Sequence, residues 1–275
     1  SQLNASLASY GDLRRYNTII IPSGRSLNEY TLKILKDWVS QGGTLIAHNS
    51  STRSLASDKG IGSVKQLQNT FENSKEYNFD LMREIYALDN DINKDMTNEN
   101  NVNFELSYPW EEIEGFLSKN ELKDRDKWQS IFMPSGSFVA GRIDNEHWLT
   151  FGTTETIPVL YSNYPILMTR SNSDAPVRIG NMIPNNEIDI PRVVNWSSIP
   201  AGFDLNVRMS GLVWPEASQR IANSAYLTRE RVGNGQVILF SGEPNFRGAT
   251  LGTNRLWLNA IVYGPGLGTR SKIDL

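Results

Sequence analysis

The chemistry available to this 275-residue chain is narrow: it holds two histidines, His48 and His147, and no cysteine. A serine nucleophile needs a general base within hydrogen-bond reach, oriented by a third group. Ser50 is the candidate by position. It lies in His48-Asn49-Ser50-Ser51, just past a short apolar run, where a tight strand-to-helix turn exposes one side chain above a sheet. His48 precedes that turn, so its side chain is expected to point away from Ser50 or beside it. His147 follows the acidic residues Asp144 and Glu146 and is the other candidate base. The competing assignment, which the sequence favours, has Ser50 and Ser51 capping the next helix and His147 in a structural turn. A zinc centre needs three or four ligands, usually several of them His. Neither His is followed by Glu three residues on, so no metal ligands are expected here.

Two further residues carry binding chemistry. Trp110, within Tyr108-Pro109-Trp110-Glu111-Glu112, is the surface candidate for gripping a glycan or a peptide, with core or loop anchoring as the competing role. Arg247 follows the last strand, and open α/β sheets bind ligands beyond the carboxyl ends of their strands. It recognises a carboxylate there or pins its loop through backbone carbonyls. Gly60-Ile61-Gly62 and Gly233-Asn234-Gly235 match neither a dinucleotide fingerprint nor a phosphate loop and are expected to be turns.

These residues must be positioned by a folded scaffold. Apolar residues make up 39% and aromatics 10% of the chain, enough for a core. The formal net charge of -3 gives no reason to expect nucleic acid or an anionic membrane. Without Cys there are no disulfides, thiolate metal sites or cysteine nucleophiles. No apolar run of about 18 residues is present, so no membrane span is expected. Residues 1–9 carry neither a basic nor an apolar leader segment, and with no initial Met the chain reads as a C-terminal piece of a larger protein.

The first element is clear. Residues 16–21 form a β-branched run stopped by Pro22-Ser23-Gly24. Leu27, Tyr30, Thr31, Ile34, Leu35, Trp38 and Val39 share one helical face, with Ser26 and Glu29 at capping-box spacing. Thr44 to His48 is a second strand, so residues 16–48 make a βαβ unit with parallel strands. Gly233-Asn234-Gly235 joins two strands as a hairpin. A final helix starts at Thr253 or Asn254, buries Leu256, Trp257, Ala260 and Ile261, and ends at Gly264-Pro265-Gly266. Ser137 to Ile143 alternates as a strand. Residues 72–130 read as a long polar insertion, with Asp89 to Asn103 as exposed loop. Pro184 to Pro200 reads as irregular. No linker divides the chain, so residues 1–275 are expected to form one α/β domain with a doubly wound, mostly parallel sheet.

The segment from Tyr16 to Gly24 is similar to the first strand and turn of class I glutamine amidotransferase-like domains. Gly42-Gly43-Thr44-Leu45-Ile46-Ala47 resembles the strand entering their nucleophile elbow. Gly233 to Phe240, Pro244 to Gly248, Gly252 to Leu256 and Asn259-Ala260 resemble the end of a variant found C-terminal to secreted bacterial zinc carboxypeptidases of the carboxypeptidase A type. Pro134 to Ser137 and Asp144 to Gly152 fit its middle. The catalytic members of the family carry a Cys at the elbow, which this chain lacks. The resemblance therefore implies a non-catalytic accessory domain, periplasmic or extracellular, that packs on an upstream catalytic domain or helps hold a peptide. Zinc would belong to that upstream domain and no cofactor to this one. The alternatives are a serine-dependent amidase or hydrolase using Ser50, and a carbohydrate- or peptide-binding module.

Overall fold

In the computed structural model, which describes residues 13–88 and 115–269, the first three elements follow the hydrophobic pattern. Strand β1 is Thr18–Ile21, helix α1 is Glu29–Ser40 and strand β2 is Thr44–His48. β1 and β2 pair in parallel, with Thr18 opposite Thr44 and Ile21 opposite Ala47. Leu35, Trp38 and Val39 of α1 are buried as expected, joined by Leu32, whereas Tyr30 is 70% exposed. The Ser26–Glu29 capping box does not form. Asn28 caps instead, its Oδ1 accepting from Thr31 N at 2.8 Å. Asn is as good a cap as Ser, and here it sets the helix start two residues later.

The chain continues through α2 (Thr52–Leu55), β3 (Lys65–Gln66), α3 (Ser74–Leu88), α4 (Lys119–Gln129), β4 (Ser137–Ile143), β5 (Thr156–Tyr161), β6 (Leu167–Met168) and β7 (Asp174–Ile179). It then forms β8 (Asn181–Pro184), β9 (Arg192–Val194), β10 (Ser197–Ile199), β11 (Phe203–Asn206), β12 (Arg208–Ser210), α5 (Pro215–Ile221), β13 (Ala225–Val232), β14 (Gly235–Phe240) and α6 (Leu251–Tyr263). The main sheet runs β1-β2-β14-β13-β7-β4-β12, with β5 on β4, β6 on β13 and β3 on β6. β14 lies parallel to β2, placing Gln236 opposite Thr44 and Phe240 opposite His48. This strip β1-β2-β14 is the parallel part of the sheet. The pairings beyond β14 are antiparallel; for β13 and β14 the reason is local, since a connection as short as Gly233-Asn234 can make a hairpin but not a crossover.

The sheet is wound on both faces, giving the expected α/β class. Side chains alternate across a strand, so Leu45, Ala47, Val237 and Leu239 face the core under α1, while Ile46, Ile238 and Phe240 face the core containing Leu256 and Ala260 of α6. α6 begins at Leu251, earlier than the expected caps. Thr250 takes the N-cap position without a side-chain cap, because its hydroxyl bonds that of Thr253. The helix ends just before Gly264, as expected.

The segment read as irregular and the described parts of the polar insertion both hold regular elements. Residues 192–199 form a β9–β10 hairpin with Arg192 opposite Ile199. Asn195 turns it with φ 59°, a left-handed conformation that Asn tolerates. In the polar stretch 72–130, α3 contributes Tyr77 and Leu81, and α4 contributes Leu122, to the main core. α4 has a complete Ser118–Glu121 capping box. The loop expected over 89–103 lies outside the described residues.

A buried carboxylate fixes the segment after the elbow helix. Glu230 of β13 accepts from Ser63 N at 2.9 and 2.7 Å and from Val64 N at 3.4 Å. The loop must approach it bare. Gly62 has φ +89°, and a Cβ there would lie 2.3 Å from Glu230 Oε2. Gly62→Ala is therefore expected to destabilise the fold by about 2 kcal/mol or more, combining left-handed strain with the displaced carboxylate. Gly24→Ala, at φ +86° with nothing within 4 Å, is expected to cost only the strain, about 1 kcal/mol. Urea unfolding of the two variants against the native chain checks the difference.

Candidate functional site

The parallel strip ends at one rim of the sheet, and the residues just past β1, β2 and β14 meet there. Asn49, directly after β2, has φ 52°, the strained geometry of an elbow residue. The elbow position is thus occupied by Asn49 rather than Ser50. A carboxamide is no nucleophile, and this one is engaged: Nδ2 donates to Glu243 Oε1 at 3.0 Å. Glu243 follows the end of β14, so this contact joins two adjacent strand ends.

The hydroxyls beyond Asn49 act as staples. Ser50 Oγ accepts from Gly24 N at 2.7 Å and lies 3.2 Å from Ser23 Oγ. Ser51 Oγ donates to the carbonyl of Pro22, and Ser54 Oγ accepts from Leu27 N at 3.2 Å. The expected capping role of Ser50 and Ser51 is not what the structure shows: neither short helix start has a side-chain cap there. Their hydroxyls instead tie the β1–α1 loop to the elbow. That loop's free N–H and C=O groups are close at hand, so bonding them competes directly with capping.

His48 turns to the α6 side of the sheet. Its ring meets Trp257 edge-on at 5.4 Å between centroids, and its buried Nδ1 has no hydrogen-bond partner among the described residues. Burial holds its pKa below the usual histidine value, opposed by the charge of Glu243. An aromatic wall continues from it: Trp257 to Phe240 at 5.5 Å and Phe240 to Tyr226 at 6.2 Å. Gly242 sits between Tyr226 and Tyr164, where a Cβ would come within 2.7 Å of the Tyr164 ring. Burial raises the Tyr164 phenol, and the Glu243 charge adds to the effect. The rim therefore offers a carboxylate, a carboxamide and a neutral imidazole against aromatic faces. Such a set can orient a ligand by hydrogen bonds and ring contacts. Among the described residues no cluster of three or more His, Cys, Asp or Glu is placed to hold a metal ion.

The remaining sequence candidates lie elsewhere. His147 faces Asp174 of β7, with Nε2 to Oδ2 at 3.5 Å. β7 is three strands from β2, about 14 Å at ~4.8 Å per strand, so the structure does not bring His147 to Ser50. Its Nδ1 also accepts from Leu149 N at 3.1 Å, which leaves no lone pair for general-base work. Arg247 is exposed in the turn Phe246–Gly248, its guanidinium over the Phe246 ring at 5.1 Å. Trp110 lies outside the described residues. The sequence reading passed over Asn49, Glu243 and Tyr164. Glu243 had a signal, an acid immediately past a parallel strand in Ser241-Gly242-Glu243-Pro244. Trp257 was assigned to the core, and it does pack there, but it also forms part of the rim.

No protein-family model matches the chain, and no curated protein matches it. Among solved structures it is similar to a ThuA-like protein of Bacteroides uniformis, at 10% identity over 94% of this chain and 74% of that one, with a TM-score of 0.42. It is similar also to a cytoplasmic protein of Salmonella typhimurium, at 12% identity over 94% and 76% of the two chains and a TM-score of 0.40. A second cytoplasmic protein, from Salmonella typhimurium LT2, gives 14% identity over 92% and 74%, with a TM-score of 0.39. ThuA-like proteins have a glutamine amidotransferase-like fold. At these scores the likeness is one of general layout, and the α/β assignment rests on the strand pairing itself. Nothing in these similarities links the chain to carboxypeptidases.

Two outcomes test the geometry of the rim. Asn49→Ala is expected to cost about 1–3 kcal/mol, from left-handed strain and the lost bond to Glu243. Asn49→Gly, which removes the strain, is expected to cost less; urea midpoints compare them. Because the folded-state pKa of His48 is depressed, the unfolded chain binds the proton more readily as pH falls below about 6.5. The stability from His48 is thus present above that pH and lost on acidification. Replacing His48 with Asn is expected to flatten stability against pH between 7.5 and 5.5, measured as the difference from the native chain.

Proposed function

We propose that this chain is a non-catalytic domain of the glutamine amidotransferase-like type, acting as an accessory to a separate catalytic domain. The observation that carries the reading is the elbow. Its strained position holds a carboxamide bound to Glu243 rather than a nucleophile. The nearest hydroxyl, that of Ser50, is bonded to Ser23 and Gly24 rather than to an imidazole.

An accessory role is supported by the outer face of α6. Leu251, Leu258 and Val262 are 87%, 54% and 64% exposed, an apolar stripe of the sort that marks a packing surface. The resemblance of residues 233–260 to the C-terminal domain of exported zinc carboxypeptidases makes such a peptidase our proposed partner, with the rim residues assisting its peptide substrate. Zinc then belongs to the catalytic domain.

The test is chemical. The purified chain is expected to hydrolyse neither an activated ester nor a glutamine amide above the buffer rate, and to leave a fluorophosphonate probe unreacted. Probe labelling or turnover that disappears in Ser50→Ala would sink the proposal and restore a serine hydrolase.

A further inference from the structure

A half-open cleft of about 310 Å³ lies away from the rim, between α3, the segment after β4 and the β6–β7 region. That is at the lower end of the size of small-molecule sites. Seven of its twelve lining residues are Asp, Glu or Arg, and most of those charges are already matched. Arg178 holds Glu84 with two bonds, at 2.6 and 2.5 Å, and donates to Thr169 Oγ1 at 2.8 Å. Arg170 holds Asp80 at 3.0 Å and also Glu76. Asp174 is shared by Arg229 at 3.2 Å and His147 at 3.5 Å. These pairs fix the walls and cancel their own fields.

Two lining residues of opposite sign have no ion-pair partner among the described residues. Arg83, on α3, is exposed, with its guanidinium 5.7 Å from the Phe79 ring centroid. Asp144, after β4, is half-buried, and one oxygen accepts from Glu146 N at 3.0 Å. The two sit on different segments of the one cleft. A single cation or anion would satisfy one of them and face like charge from the other.

We infer that this cleft binds a small zwitterion of the amino-acid type, its carboxylate on Arg83 and its ammonium on Asp144. The matched walls leave these two groups as the discriminating contacts. A free amino acid and a short peptide carry the same pair of charges at different separations.

Titration calorimetry of the native chain against a panel of free amino acids and dipeptides, with their N-acetyl and C-amide forms, tests the inference. At least one unblocked compound is expected to bind, and either block is expected to weaken it tenfold or more. Which compounds bind identifies the ligand as a free amino acid or a peptide. In Arg83→Ala the acid and its amide are expected to bind alike. In Asp144→Asn, which keeps the acceptor for Glu146 N, the amine and its acetyl form are expected to bind alike. Absence of binding by every unblocked compound would overturn the inference, as would binding indifferent to both blocks or to both variants. Melting temperatures of the variants confirm that they fold. The cleft is remote from Ser50, so this outcome is independent of the esterase and probe results.

Discussion

Adjacent parallel strands deliver their ends to the same rim, and here one hydrogen bond fixes what happens at that rim. Asn49 leaves β2 in a left-handed turn, and its carboxamide reaches Glu243 at the end of β14. The strain of a non-glycine residue at positive φ is of order 1 kcal/mol or somewhat more. A hydrogen bond to a carboxylate contributes about 1.5–3 kcal/mol, enough to offset it. The same contact places the Glu243 charge beside His48 and Tyr164, where it acts on both titrations. Local conformation and local electrostatics at the rim therefore share one cause.

Staples and nucleophiles make incompatible demands on a hydroxyl. A nucleophile must present a lone pair to substrate and hand its proton to a base. Ser50 spends acceptor capacity on the Gly24 N–H and faces Ser23, so withdrawing it would free a backbone donor in the loop that starts α1. Ser51 and Ser54 extend the same pattern to Pro22 and Leu27. The loop after β1 is held by three hydroxyls from one short segment, and that segment's polarity serves architecture.

Much of this was legible in the sequence, and the failures have physical reasons. The βαβ unit at 16–48 and the Gly233-Asn234-Gly235 hairpin were readable because period and turn chemistry are local. The antiparallel pairings beyond β13 were not, since strand partners are chosen by tertiary packing that one sequence does not display. The β9–β10 hairpin was hidden because Asn195 can turn left-handed without glycine to announce it. At the rim, Ser50 drew attention by residue type, whereas the elbow is defined by backbone conformation. That made Asn49 the central residue, one position away from the expected one. Glu243 was missed because its partner lies 194 residues earlier, beyond the reach of any spacing argument.

The two polar regions of the molecule illustrate opposite ways of placing charge. Around β7 and α3 the guanidinium groups of Arg178, Arg170 and Arg229 meet carboxylates, and that mutual neutralisation makes their partial burial tolerable. Even Asp174, whose burial works against ionisation, is held below the usual carboxylate range by His147 and Arg229. At the rim the logic is reversed. Glu243 meets a neutral carboxamide, and the imidazole beside it is driven toward its neutral form by burial. A carboxylate so placed keeps its field uncancelled against the surrounding aromatic faces. Electrostatically, then, the rim acts through one carboxylate beside a neutral amide, while the matched walls of the cleft leave Arg83 and Asp144, alone of its charges without an ion-pair partner among the described residues, to act on what enters it.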